Sequence, residues 1–150
     1  MRISALLCCV TLAIGCTPAE EQPATETPAA APAISLADLA GTWEMSTMAE
    51  SSDSVLVTYE MAATADTTGW MVTFPGMAPV TMTVLLVDGD SVVSQMGPYP
   101  SALRPGMMVT TQAVSRLVDG AIQGTFVARY QTETADSVLN GRIRGTRKVQ

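Results

Sequence analysis

From residue 41 to the end of the chain, apolar and polar residues alternate in short runs separated by residues that favour turns. Alternation with a period of two is typical of strands that bury one face. Asp-Gly pairs at positions 88–89 and 119–120 predict tight hairpin turns between neighbouring runs. The predicted strands are Gly41–Met48, Ser54–Ala63, Trp70–Phe74, Val80–Val87, Ser91–Met96, Met108–Val118, Ala121–Gln131 and Ser137–Lys148.

These strands are evenly spaced and no long helix interrupts them, which indicates an all-β domain built on an antiparallel sheet. Residues 34–40 form a short helical turn at most, and Gly41 ends it. An open sheet leaves two unpaired edges that promote aggregation, whereas pairing the first strand with the eighth removes both. We therefore expect an up-and-down eight-stranded barrel, with a two-sheet β-sandwich as the alternative.

Alternation also assigns side chains to the inside and the outside of this barrel. Three arginines fall on the outer face, where they form either a solvated surface with weak ion pairs or a patch for an anion or a partner; they are Arg129, Arg142 and Arg144. The inward positions that we expect to line a ligand cavity are Trp70, Phe74, Met82, Phe126 and Tyr130, together with Val72 and Val84.

The first residues of the chain are typical of a secretory signal. Arg2 supplies a positive charge, and the apolar run from Ile3 to Ile14 follows it. A membrane-spanning helix needs about 20 such residues, so this run is too short to cross a bilayer. A charged start, a short apolar core and small residues before a cleavage site indicate a signal peptide over residues 1–15.

The end of the apolar run, Leu12-Ala13-Ile14-Gly15-Cys16, resembles the lipobox of bacterial lipoproteins. The resemblance implies cleavage after Gly15 and a diacylglycerol on the Cys16 sulfur, which would anchor the protein to a membrane. Thr17 stands where lipoproteins kept at the inner membrane often have Asp, so the resemblance favours the outer membrane of a two-membrane host. The alternative is an ordinary secreted protein with an incidental cysteine.

The segment from Cys16 to residue 33 is rich in Pro, Ala, Glu and Thr and has no large apolar side chain after the cysteine. Such a composition predicts a disordered tether, because it offers nothing to bury. In a polyproline-like conformation the tether would reach roughly 50 Å from the membrane. The remaining residues, 34–150, then form one β-barrel domain.

Gly41-Thr42-Trp43, at the start of the first strand, resembles the Gly-X-Trp motif of lipocalins. That superfamily has an eight-stranded barrel with a ligand cavity, and the resemblance places Trp43 at the closed end of the barrel. An arginine from the last strand commonly packs across this tryptophan. Arg144 or Arg147 would take that role, and a guanidinium over an indole face is itself a favourable contact. The alternative is that Trp43 is a core residue of another small β fold.

Composition narrows the chemistry. The chain has no histidine, and Cys16 is the only cysteine left once the signal is removed, so a histidine base and a free thiol nucleophile are both missing. The chain has fourteen acidic and eight basic side chains, and this acidic excess disfavours nucleic-acid binding. Met107-Met108 offers thioethers for Cu(I), but methionine is also an adaptable core filler, and we expect no metal, no cofactor and no catalysis.

These observations predict a non-catalytic, lipid-anchored protein of the cell envelope. A closed eight-stranded barrel is either filled by its side chains or holds one small molecule. We expect a small apolar or amphipathic ligand inside, beneath a loop predicted over residues 97–106 in which Pro98-Tyr99-Pro100 covers the mouth. The alternative is a structural or protein-interaction module with a solid core.

Overall fold

The computed structural model describes residues 33–132 and 137–149; the predicted signal peptide, Cys16 and nearly all of the predicted tether lie outside them. One short helix, α1 (Leu36–Leu39), precedes eight strands. Ser35 caps α1, because its side chain accepts a hydrogen bond from the Ala37 amide. The strands are β1 (Gly41–Ala49), β2 (Val55–Ala63), β3 (Trp70–Thr73), β4 (Val80–Asp88), β5 (Ser91–Pro100), β6 (Met108–Val118), β7 (Ala121–Tyr130) and β8 (Val138–Arg147).

Each strand pairs antiparallel with the next along the chain, and β8 returns to pair with β1, so the sheet closes into a barrel. At the closure, Trp43 lies opposite Arg147 and Ala49 lies opposite Gly141. The predicted eight-stranded up-and-down barrel is thus confirmed, and the sandwich alternative is wrong.

The turn between β6 and β7 shows how the local sequence sets this topology. Asp119 has a φ of 51° and Gly120 a φ of 75°, both positive. Two successive positive φ values define the type I′ turn, whose twist matches that of the flanking strands. Asp and Gly tolerate this backbone better than other residues, which confirms the hairpin predicted at this pair.

The predicted alternation of inner and outer faces is also confirmed. On β7 the buried side chains are Ile122, Phe126, Ala128 and Tyr130, and on β8 the inward positions are Gly141, Ile143 and Gly145. The small inward residues sit where neighbours approach closely. A Cβ atom on Gly141 would lie 2.3 Å from the Met48 carbonyl oxygen, and one on Gly124 would lie 2.1 Å from the Val114 carbonyl oxygen. Glycine therefore lets adjacent strands curve tightly around a narrow core.

The predicted end of the fifth strand is wrong, whereas the other predicted strand ends lie within one residue of the observed ones. The fifth strand does not stop at Met96 but continues to Pro100, so Pro98-Tyr99-Pro100 belongs to the barrel wall and not to a loop over its mouth. A bulge between Met96 and Tyr99 accommodates Gly97 and Pro98, after which Tyr99 pairs with Val109. Gly and Pro are strong turn signals in a sequence, but a bulge also tolerates both of them within a strand.

Candidate functional site

The two ends of the barrel differ. At one end lie α1, the six-residue β2–β3 connection, the tight β4–β5 and β6–β7 turns and the last residues of β8, and we call it the closed end. The chain enters there, since the Ile34 amide donates to the Gly89 carbonyl over 2.8 Å. At the opposite end, connections of five to seven residues join β1 to β2, β3 to β4, β5 to β6 and β7 to β8, and no α-helix of the described residues lies across it. Any opening into the barrel is therefore to be sought at this second end.

Trp43 seals the closed end. Its side chain is fully buried, and its indole Nε1 donates to the Leu39 carbonyl of α1 over 2.7 Å. The Arg147 guanidinium lies 4.3 Å from the ring centroid and also donates to the carbonyls of Asp38 and Ala40. One side chain thus joins the first helix, the first strand and the last strand.

Arg147 and not Arg144 packs on Trp43, so the placement of Arg144 in this motif is wrong. On β8 the buried positions are Gly141, Ile143 and Gly145, and Arg147 continues this set while Arg144 faces outward and is exposed. Gly41 makes room for the contact. Its φ is 128°, and a Cβ atom there would lie 2.6 Å from Nη1 of Arg147. The guanidinium therefore requires glycine at the start of β1.

All of the residues predicted to line a ligand cavity are buried inside the barrel, but they do not surround one common space. Phe74 and Phe126 contact a cavity of about 50 Å³, whereas Trp70 and Met82 contact a second one of about 20 Å³. The guanidinium carbon of Arg104 lies over the Tyr130 ring, 4.2 Å from the ring centroid. Whether these residues bind a ligand stays a prediction.

The interior is more polar than predicted. Thr47, Ser94, Ser101 and Thr111 are buried, and the hydroxyls of Tyr99 and Thr111 are hydrogen-bonded at 2.9 Å. A cavity of about 10–15 Å³ suffices for one water molecule, so both cavities are large enough for water and have the polar walls that water requires. Alternation in the sequence places Thr47, Ser94 and Thr111 at inward positions, but the predicted cavity lining consisted almost entirely of apolar side chains.

The segment between β5 and β6 closes the second end of the barrel. Its ends are joined because the Ser101 amide donates to the Met107 carbonyl over 2.8 Å. The Ser101 hydroxyl accepts from the amides of Leu103 and Arg104, at 3.1 and 2.9 Å. Ser101 and Leu103 contact the 50 Å³ cavity directly. Residues 101–107, which begin just after the predicted Pro98-Tyr99-Pro100 segment, thus cover the barrel.

A larger space lies on the outside of the barrel wall, beside β2. Only Glu60, Met61 and Ala62 of β2 pair with β3, because β3 ends at Thr73 and the chain then turns away. Of the other β2 residues before Glu60, Val55 and Val57–Tyr59 pair with β1 alone, and Leu56 is bulged. The resulting groove, which we call the β2 groove, has a volume of about 440 Å³; its walls are Glu44, Thr58, Tyr59, Glu60, Thr73, Phe74, Pro75, Gly76, Met77 and Lys148.

Three aromatic rings close the wall behind this groove. Tyr59 and Phe74 lie with ring centroids 5.1 Å apart, and Phe74 stacks on Tyr99 at 5.6 Å with 14° between the ring planes. Tyr59 and Phe74 contact both the groove and the inner cavity. Side chains therefore separate the inside from the outside where the backbone ladder is missing. Burial raises the pKa of the Tyr59 hydroxyl well above its usual value, and the neighbouring Tyr99 adds to this.

Charges of opposite sign meet at one end of the β2 groove. Glu44 and Glu60 lie directly opposite each other on β1 and β2, and Lys148 Nζ donates to Oε2 of Glu60 over 2.6 Å. The hydrogen bond and the charge of Glu60 raise the pKa of the Lys148 ammonium, and Glu44 adds a smaller effect. Two carboxylates therefore share one ammonium, although like charges opposite each other are unfavourable.

Other chemistry is limited in the described part of the chain. Residues 33–132 and 137–149 contain no group of three or more His, Cys, Asp or Glu side chains placed to hold a metal ion. Most methionines on the inward face pack in the core, among them Met45, Met61, Met82 and Met96. Within the same residues, no helix has the length and apolar character that a membrane span requires.

Comparisons with known proteins add no family to this description. The chain matches no protein-family model and no curated protein sequence. No solved structure matches it either, so the eight-stranded barrel rests on the chain's own topology.

Proposed function

We propose that this protein is a lipid-anchored cell-envelope lipoprotein whose barrel acts without catalysis as a protein-interaction module. The distribution of space carries the proposal. Binding pockets for small molecules usually measure about 300–1,000 Å³. The two inner cavities, of about 50 and 20 Å³, fall far below that range, and the larger space of about 440 Å³ lies on the outer surface in the open β2 groove, where a partner chain has access.

The anchor is supported by the sequence and by the path of the chain. The run that ends at Cys16 has the length and composition of a lipoprotein signal, and two or more acyl chains hold a protein stably on a bilayer. Residue 33 leads into the closed end of the barrel, where Ile34 is bonded to Gly89. A tether attached there leaves the β2 groove and the longer loops accessible to partners, at the outer membrane if the host has two membranes.

The second candidate function is the binding of a small apolar or amphipathic ligand inside the barrel. The cover formed by residues 101–107 favours it, because Ser101 and Leu103 lie over the larger inner cavity at the end with the longer loops. Such a ligand would have to displace the cover and repack Phe74 and Phe126. Because a ligand requires this rearrangement, we favour a core filled by side chains over a barrel that holds a ligand.

Native mass spectrometry of the protein extracted from its own envelope separates these functions. We expect an acyl mass on Cys16, no stoichiometric small molecule, and release from membranes when Cys16→Ala is introduced. The fluorescent apolar probe N-phenyl-1-naphthylamine should not gain fluorescence with the folded protein. A co-purified small molecule that Phe126→Trp displaces would refute the interaction module and favour the ligand. Membrane sedimentation of Cys16→Ala would refute the lipid anchor.

A further inference from the structure

We propose that the unpaired stretch Val57–Tyr59 of β2 is a docking edge that binds an extended, basic segment of a partner protein as an additional strand. This inference rests on the proposed interaction function and assigns it a site and a class of partner.

The backbone of β2 provides the first argument. Along Val55–Tyr59, β1 occupies one side and no strand of the described chain occupies the other. Every second residue of a regular strand directs its N–H and C=O groups to a given side, so part of this ladder is unpaired, and the regular stretch after the Leu56 bulge, Val57–Tyr59, spans about 10 Å. Extended peptides bind such edges through main-chain hydrogen bonds.

The side chains along this edge are those of a strand that pairs readily. The sequence Val-Leu-Val-Thr-Tyr has no proline, glycine or charge, although natural proteins commonly protect free edges with proline or lysine. Val55 and Leu56 are exposed, at 55% and 38%. The edge therefore lacks the protection that proline or lysine would give, and the bulge at Leu56 interrupts it near its start, so the stretch that a partner can cover is Val57–Tyr59.

The β2 groove adjoins the Thr58–Tyr59 end of this edge. Thr58 and Tyr59 form one wall and the turn after β3 forms the other, with Pro75 and Met77 on it. The rings of Tyr59 and Phe74 provide an apolar floor. A strand in this groove would place alternate side chains against the aromatic floor and toward solvent, which sets an apolar and polar alternation in the partner.

Charge defines the partner further. Lys148 forms its ion pair with Glu60, and Glu44, directly opposite Glu60, forms no ion pair with any residue that the structure describes. A lysine or arginine of the incoming segment would supply the compensating charge. The partner segment is therefore alternating and basic, rather than acidic like the tether of this chain.

The experiment uses the full-length protein in detergent and NMR spectra of its amides. The probe is the synthetic peptide Lys-Val-Thr-Val-Thr-Val-Lys. We expect shifts confined to Val55–Tyr59 and the facing turn, and amide exchange in Val57–Tyr59 slowed about tenfold or more when the peptide is bound. Methylating alternate peptide nitrogens on the edge-facing side should weaken binding by about tenfold.

Two matched variants test the charge. Glu44→Gln should weaken binding of the lysine peptide about threefold, while Glu50→Gln, in the neighbouring β1–β2 loop, should leave it unchanged. A peptide with both lysines replaced by glutamate should bind more weakly to the unchanged protein and gain affinity with Glu44→Gln. Equal affinities for the two peptides would overturn the basic class of partner.

Other outcomes overturn the docking edge itself. Absence of shifts at about 1 mM peptide would do so. Shifts at the outward row Leu86, Val93 and Val114 on β4–β6 would place the partner there instead. Dimerisation that protects Val57–Tyr59 would make a second copy the occupant. These results concern the docking edge alone. Failure of the interaction module would instead appear as a small molecule bound inside the barrel, so the two failures can be distinguished.

Discussion

Replacing Arg147 with alanine tests how the barrel is closed at its first and last strands. The substitution removes the contact between the guanidinium and the Trp43 ring, which lies 4.3 Å away. It also removes the donors to the carbonyls of Asp38 and Ala40. α1 has only four residues, and besides these donors it is held by the buried Leu39 side chain and by the hydrogen bond from the Trp43 indole to the Leu39 carbonyl.

The magnitude follows from these contacts. A cation–π contact at an exposed site contributes about 0.5–1 kcal/mol. Hydrogen bonds from a charged donor contribute about 1.5–3 kcal/mol, but the freed carbonyls of Asp38 and Ala40 lie near the surface and can bind water, so about 1.5 kcal/mol is expected for the pair. Arg147→Ala should therefore lower the free energy of unfolding by about 2 kcal/mol.

Urea unfolding followed by tryptophan fluorescence measures this change, with an unchanged slope showing that the folded state remains compact. Arg147→Lys keeps the charge but loses the planar donor fork, so it should recover less than half of the lost stability. Arg144→Ala is the matched control on the outer face and should change stability by less than about 0.5 kcal/mol. Equal effects of Arg144→Ala and Arg147→Ala would show that the contact with Trp43 does not hold the closed end.

Two further predictions concern the wall and the core. Gly124→Ala should destabilise the protein by about 2–3 kcal/mol in the same assay, because the added Cβ would meet the Val114 carbonyl oxygen at 2.1 Å; the exposed neighbour variant Thr125→Ala should have little effect. Burial raises the pKa of Tyr59 above that of an unfolded tyrosine, so its contribution to stability is complete below about pH 10 and is lost as the pH rises further. Tyr59→Phe should therefore reduce the loss of stability between pH 10 and pH 12, and an unchanged loss would show that Tyr59 does not cause it.

Local signals in the sequence were sufficient for the barrel. Period-two alternation predicted the inward residues of β7 and β8, and the Asp119-Gly120 pair predicted the turn between β6 and β7. Both predictions depend only on residues that are close in the chain. The closing position of Trp43 followed from a motif and not from alternation. Alternation along β8 places Arg147 on the same face as Ile143 and Gly145 and places Arg144 on the opposite face. It therefore predicts that Arg147, and not Arg144, packs on Trp43.

The free volume inside the barrel could not be predicted in this way. It depends on how Phe74, Phe126 and their neighbours pack together, and alternation specifies which side chains point inward but not the space between them. The bulge after Met96 was also hidden, since Gly97 and Pro98 give the same signal in a turn and in a bulged strand.

The filled interior and the unpaired edge have a common cause in the short strand β3. β2 has nine residues, but β3 has only four and ends at Thr73. Backbone hydrogen bonds between the two strands are therefore missing along more than half of β2. The rings of Tyr59, Phe74 and Tyr99 close this gap from inside, and aromatic side chains bury about 150–250 Å² each. The rings that seal the wall thus occupy volume that a ligand would need, while the same gap leaves the β2 edge open on the outside. This geometry is why we propose that the barrel binds a strand on its surface rather than a small molecule in its core.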